Sequence, residues 1–157
     1  MEGGKVNRNL KVIIALSVIA IIISGYLLYI KYSGNKSFCD IAEGISCDQV
    51  SQSPYSELPA NSGIPIAGLG IIAFLIYIIP AALMLRPGDG KILGFERRAV
   101  HRLMLLWGAF SFLFYIYLTY LELFVIYAIC PLCVVTFIID IIVVVFIAQN
   151  VRSGGKG

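Results

Sequence analysis

Charge is scarce in this chain. Asp, Glu, Lys and Arg make up 13% of its 157 residues, about half the share of an average soluble domain. Hydrophobic residues fill 59%, and mean hydropathy is +0.91. So little charge excludes a soluble fold of ordinary composition and requires most of the chain to lie in a membrane. Histidine is almost absent: His101 stands alone among arginines, far from every cysteine, and no catalytic role is assigned to it. A basic face interleaved with aromatics is also missing, so the formal net charge of +3 gives a nucleic acid nothing to follow. There is no low-complexity tract, no internal repeat and no second, soluble domain.

What the sequence does contain is four apolar stretches, Val12–Ile30, Ile64–Leu85, Ala99–Leu121 and Tyr127–Ala148. About 20 apolar residues make a helix that crosses a hydrocarbon core of roughly 30 Å. A continuous helix from Ala99 to Ala148 would run to about 75 Å, so the chain must fold back, and Glu122 beside the Cys130-Pro131 step is the place. These stretches predict an all-α integral membrane protein, a bundle of four transmembrane helices forming one domain over residues 12–148. Residues 1–11 and 149–157 are expected to be cytoplasmic tails, and 31–63 a long outer loop between the first two helices. Arg86-Pro-Gly-Asp-Gly90 reads as a turn, and Pro65 suits the first turn of the second span.

Lys5, Arg8, Lys11, Arg86, Lys91, Arg97, Arg98, Arg102, Arg152 and Lys156 fall on one side, leaving only Lys31 and Lys36 opposite. Basic residues concentrate on the cytoplasmic side of membrane proteins. Both termini are therefore expected in the cytoplasm and all four cysteines outside it, where disulfides persist. The first apolar stretch exceeds the roughly 7–15 residues of a signal-peptide core, and no small-x-small site clearly ends it. It is expected to stay as an uncleaved anchor.

The cysteines form two pairs. Cys130-Pro-Leu-Cys133 lies at the outer end of the last span. Cysteines three apart share a helix face, and a helix start beside them stabilises a thiolate on Cys130. Cys133 is then one turn deeper, nearer to anything dissolved in the lipid. Two buried, inert thiols would also satisfy this spacing. Cys39 and Cys47, with seven residues between them, read either as a staple of the outer loop or as a second redox pair. In the redox reading, a flexible loop brings one of them to Cys130 for thiol–disulfide exchange. Zinc is disfavoured, because the first spacing exceeds the usual two to four residues and the outer face is oxidising; no metal is expected. Within the loop, Asp40-Ile41-Ala42-Glu43 and Asp48-Gln49-Val50 are candidate helical turns.

The chain resembles the vitamin K epoxide reductase family, in its prokaryotic disulfide-generating branch. The resemblance rests on Cys39-x7-Cys47, the run Cys47-Asp-Gln-Val-Ser-Gln-Ser53-Pro-Tyr-Ser56, Gly63-Ile-Pro65, and Cys130-Pro-Leu-Cys133 after Tyr120-Leu-Glu122. It extends from about Leu10 to Ile147. It implies four helices around a quinone pocket, with Cys130 and Cys133 as the active-site pair and Cys133 nearest the quinone. Cys39 and Cys47 would be the shuttle pair, Cys39 meeting the partner and Cys47 relaying electrons through a transient bond to Cys130. Ser53 matches the family's loop Ser/Thr near the redox centre. Phe137 stands where vertebrate members have a tyrosine, and Phe cannot donate a hydrogen bond to a quinone oxygen. The stretch Glu57–Ser62 is longer than is usual in the family. Many bacterial relatives carry a fused thioredoxin-like domain; here the thioredoxin-like partner is expected to be a separate protein on the outer side.

Asp140, two turns beyond Cys133 on nearly the same face, is a candidate for a proton route, since a carboxyl at that depth is costly. A hydrogen-bonded acid packed between helices is the structural alternative. Glu122 reads as a solvated interfacial acid, with tuning of the Cys130 thiolate as its alternative role. Tyr115, Tyr117, Tyr120 and Tyr127 read as an aromatic belt with one of them a candidate to line the quinone site, and Trp107 as packing. The reading is a multi-pass thiol:quinone oxidoreductase of a prokaryotic cell membrane, using a menaquinone- or ubiquinone-like acceptor. The alternatives are a non-catalytic membrane protein with two structural disulfides and a thiol-bearing metal transporter.

Overall fold

The computed structural model describes residues 2–34, 36–59, 62–86, 91–92 and 94–154. Pro87–Gly90 of the expected turn and residues 155–157 of the carboxyl tail lie outside the described residues. Five helices account for most of what is described: α1 (Glu2–Ser33), α2 (Cys47–Gln52), α3 (Ile66–Leu85), α4 (Arg97–Leu121) and α5 (Pro131–Gly154). A two-residue antiparallel pair, β1 (Lys91–Ile92) and β2 (Phe95–Glu96), precedes α4. Four of the helices are long and apolar enough to cross a membrane, over Gly4–Ser33, Ile66–Leu85, Arg97–Ile126 and Pro131–Arg152. The fold is a four-helix membrane bundle. An even number of crossings puts both termini on one side.

The helices outrun the apolar stretches at both ends of the chain. α1 is helical from Glu2, through residues expected to form a tail, and α5 continues to Gly154. Nothing in these segments breaks a helix, and the two ends are tied together: Asn9 Nδ2 donates to Asn150 Oδ1 at 2.9 Å, with both side chains buried. α1 stops at Gly34, whose left-handed φ of 62° gives an ordinary C-terminal cap and whose N–H reaches the Ile30 carbonyl. Pro65 sits just before α3 rather than within it, and its carbonyl accepts from Gly68 and Leu69.

The fold-back falls at Glu122. α4 ends at Leu121 and widens into one π-helical turn over Glu122–Ile126. Tyr127 then takes a left-handed φ of 56°, which no helix can continue through. α5 consequently starts at Pro131, a few residues later than the apolar pattern suggested, with proline in the first helical position, where its missing N–H costs nothing.

α1 packs against α3 and α5, and α4 against α5, while α3 and α4 touch far less. Leu10, Ile13, Phe74, Tyr77, Val143 and Ile147 make the buried centre. At Gly108 the helices α4 and α5 come so close that a Cβ would stand 2.6 Å from Val144 Cγ2; a small residue is required for that approach. Ile22, Ile79, Leu106 and Leu113 lie exposed on the outward faces, as surfaces turned to hydrocarbon do.

Candidate functional site

The outer loop is a folded cap, not the flexible tether expected from its composition. α2 is the helical turn anticipated at Asp48–Val50, started by Ser46, whose Oγ accepts from the Gln49 N–H at 3.1 Å. Asp40–Glu43 does not form the other expected turn of helix. Ala42 and Ile45 pair across a tight reversal closed by Gly44 at φ 82°, a conformation suited to glycine. Ile45 then pairs with Ile129, where Ser46 N–H donates to Ile129 O (3.1 Å) and Ile129 N–H to Gly44 O (2.9 Å). The loop that carries Cys47 is thereby fastened to the strand-like link that carries Cys130.

Its other margin is held by Lys31, one of the two basic residues on this side. Lys31 Nζ lies 3.0 Å from Glu57 Oε1 and 2.7 Å from Ser56 Oγ. Glu57 Oε2 accepts from the Gly63 N–H at 2.9 Å, and Glu57 pairs with Pro65. The long stretch after Glu57 is therefore closed at its base. Asp48 accepts from the Ser37 N–H through both carboxylate oxygens, at 3.0 and 3.1 Å.

These fastenings bring the four cysteines together. Cys39 and Cys47 are joined in a disulfide, whereas Cys130 and Cys133 are thiols. Cys130 Sγ stands 3.3 Å from Cys47 Sγ, and both side chains are fully buried. Each of these residues is at a helix start: Cys47 opens α2 and Cys130 immediately precedes α5. Cys130 caps its helix with sulfur, Sγ accepting the Cys133 N–H at 3.3 Å. Hydrogen bonds from the Cys133 side chain and from the Cys133 and Leu132 amides hold the Cys130 thiol below its ordinary pKa, against the opposing effects of burial and Glu122. Cys39 is 3% exposed, so the disulfide shows almost none of itself to the outside.

Cys133 looks the other way. It lines a cavity of about 330 Å³ enclosed by α1, α3, α4, α5 and the capping loop, with walls almost wholly apolar. Trp107, Phe114 and Tyr115 supply aromatic surface, Ser24, Ser51 and Ser111 supply hydroxyls, and Lys31 closes the outer side. Trp107, read as packing, is part of this wall, as is Tyr115.

Two expected pocket residues are engaged elsewhere. Ser53 ends α2 and donates its hydroxyl to the Val50 carbonyl at 2.8 Å, and the cavity is lined by Ser51 instead. Phe137 stacks on Tyr115 with ring centroids 5.2 Å apart and meets Phe112 at 5.7 Å, supporting the wall from behind. Glu122 is not solvated. It is 7% exposed, lines the cavity, and accepts the Cys130 N–H at 3.3 Å. The π turn at that point is what folds its carboxylate inward.

Asp140 is 1% exposed and reaches the cavity only through a neighbour. Ser111 Oγ lies 2.9 Å from both of its carboxylate oxygens, and Tyr77 OH donates to Oδ1 at 3.2 Å. Tyr77 OH and Ser111 Oγ are themselves 3.0 Å apart. The sequence reading passed over Ser111 and Tyr77. The signal was there: a mid-span carboxyl needs donors from neighbouring helices, and Ser111 is a small hydroxyl residue set between two phenylalanines in mid-span.

No curated protein matches the chain. The model of the vitamin K epoxide reductase family matches residues 11–148, most of the chain and all four cysteines. Membership of that family indicates a membrane thiol–disulfide oxidoreductase, in keeping with a disulfide and a thiol pair in contact within a four-helix bundle. The chain belongs to the vitamin K epoxide reductase family.

Proposed function

We propose that this protein makes disulfides outside the cytoplasm, carrying electrons from a thioredoxin-like partner through Cys39 and Cys47 to Cys130 and Cys133, and on to a membrane quinone. The observation that carries this reading is the 3.3 Å approach of Cys130 Sγ to Cys47 Sγ, with Cys133 on the cavity wall. Staples of structure have no reason to bring a buried thiol against a closed disulfide, and Cys130 and Cys133 are not stapled.

The exchange balances in thiol chemistry alone. A partner thiolate attacks Cys39 and releases Cys47 as a thiolate; the partner's second thiol resolves the mixed disulfide and leaves oxidised. Cys47 next attacks Cys130 in a Cys130–Cys133 disulfide, and Cys133 departs as thiolate. Cys39 then attacks Cys47, re-forming the Cys39–Cys47 bond and freeing Cys130. Two electrons and two protons have moved inward. A closed Cys39–Cys47 pair beside two thiols matches the end of this sequence. At that stage the amides at the start of α5 hold negative charge on Cys130, and the cap keeps water off both sulfurs. A quinone bound in the cavity supplies the two-electron oxidant that returns Cys130 and Cys133 to the disulfide. Ser111, backed by Asp140 and Tyr77, presents a hydroxyl on the cavity wall through which a proton moves.

The test is quinone reduction by the purified protein with a reduced thioredoxin-like donor. Wild type is expected to turn over, with Cys133→Ala and Cys39→Ala inactive. Dithiothreitol is expected to restore turnover to Cys39→Ala alone, and Cys39→Ala, which lacks the thiol that resolves it, is expected to accumulate a Cys47–Cys130 bond visible by peptide mass spectrometry before dithiothreitol is added. Absence of turnover with menaquinone and ubiquinone analogues, together with a Cys39–Cys47 bond inert to reductant, would sink the proposal.

A further inference from the structure

The redox reading leaves the opposite end of the bundle unused. There the first two turns of α4 set Arg97, Arg98, His101 and Arg102 along a cleft of about 220 Å³. Asn150 of α5 forms the facing wall, and Leu10 and Met84 make an apolar floor. Among the described residues no carboxylate lines this cleft. The acid beside it in sequence, Glu96, lines a neighbouring depression with Arg98 and Arg102 and makes no capping bond to α4.

Three buried nitrogen atoms in the cleft have no hydrogen-bond partner among the described residues: Arg97 Nε, Asn150 Nδ2 and His101 Nε2. Two of them, Arg97 Nε and Asn150 Nδ2, carry hydrogens in every state. Asn150 is only 3% exposed, and its oxygen is already taken by Asn9, so water does not readily satisfy the remaining N–H. Buried donors left without acceptors call for a ligand that supplies them. Donors on two helices, guanidinium charge and the uncapped start of α4 together call for a compact, oxygen-rich anion. A phosphate has that form, and an arginine fork matches it in two hydrogen bonds at once.

The position decides the source. The spans begin at Gly4 and Arg97 and end at Leu85 and Arg152, so the cleft lies at the level of the headgroups. Its apolar floor runs from there into the bundle. Basic pockets between helix ends are where anionic lipid headgroups bind. We propose that this cleft holds the phosphate of an anionic phospholipid, with Arg97 and Asn150 as donors and Arg102 and His101 beside them.

The full-length protein in neutral detergent would be titrated with phosphatidylglycerol, phosphatidylcholine or inorganic phosphate, reading bound lipid by native mass spectrometry and Tm by thermal unfolding. Phosphatidylglycerol is expected to be retained and to raise Tm, and phosphatidylcholine to do neither. Arg97→Gln is expected to weaken retention about tenfold. Arg152→Gln, which removes the same charge from the same end but outside the cleft, is expected to leave it unchanged. Arg97→Lys keeps the charge without the fork and guards against a variant that fails to fold; it too is expected to bind more weakly. Equal retention of both lipids, or equal losses in Arg97→Gln and Arg152→Gln, would overturn the site. Stabilisation by inorganic phosphate matching that of phosphatidylglycerol would overturn the lipid assignment in favour of free phosphate.

Discussion

At the scale of single residues, burial and direct bonding separate the groups that do chemistry from those that hold them. Asp140 is the instructive one. A carboxyl in mid-bundle is expensive unless donors meet it, and Ser111 and Tyr77 do. Those two bonds are what a purely structural acid would need, but Ser111 also opens onto the cavity. We therefore expect Asp140→Asn, close in shape but unable to pass a proton on, to slow quinone reduction at least tenfold, or about 1.4 kcal/mol in barrier. Exchange between the two cysteine pairs, followed by alkylation, is expected to be unaffected. Full quinone turnover in Asp140→Asn would remove the proton route and leave the acid as packing. The same contrast explains Ser53 and Phe137. Their places in the sequence sit next to the chemistry, yet the Ser53 hydroxyl is spent on the α2 terminus and the Phe137 ring on Tyr115.

At the scale of elements, the decisive structure is the cap, and its margin depends on pH. The Gly63 amide, and then Lys31, lower the Glu57 pKa below its ordinary value. A carboxyl with a depressed folded pKa stabilises the fold above its unfolded pKa, and that contribution disappears as pH falls through the folded value. Wild type is accordingly expected to exceed Glu57→Gln in Tm at neutral pH, and the difference to vanish in acid below the normal carboxyl range. A difference that persists there would mean the glutamate acts through shape alone. This clamp also shows where sequence reading stops. The two inner spans could be read to within two residues because hydropathy belongs to the residues themselves, while the outer two helices ran on past their apolar stretches, and the need for a fold-back followed from helix length. The start of α5 was missed because a left-handed Tyr127 leaves no mark in hydropathy. The rungs joining Ile45 to Ile129 are backbone bonds, which form whatever the side chains are, so composition pointed to a loose loop where a fastened one exists.

At the scale of the whole molecule, the two ends of the bundle differ in charge and in chemistry. Lys5, Arg8, Arg97, Arg98, Arg102 and Arg152 gather at the end that holds both termini, and the cysteines lie at the other. The basic end is expected in the cytoplasm. Fluorescent-protein fusions to either terminus should then fluoresce, and alkaline phosphatase fused there should be inactive. The opposite pattern would place the redox centre in the cytoplasm and end the reading of disulfide formation outside it. The two cysteine pairs followed from spacing, whereas which loop cysteine meets Cys130 became legible only through family resemblance and the fold. The basic cleft was visible in the sequence only as a topology signal, because the buried N–H groups that distinguish it arise where four helices converge.

The rungs at Ile45 have a consequence for timing. They divide the disulfide between two bodies: Cys47 lies on the part bolted to Ile129, and Cys39 on an arm held by the Ser37–Asp48 bonds and the contact of Phe38 with Tyr26, ring centroids 5.1 Å apart. In the relay proposed above, a donor that reaches Cys39 has to lift that arm, since the sulfur is covered at rest. The backbone rungs that hold Cys47 beside Cys130, from Ser46 and Gly44 to Ile129, lie outside that arm. In the proposed relay, then, Cys39 is the sulfur that would travel to meet a donor and Cys47 the one already in place beside Cys130, so the internal transfer would need no search.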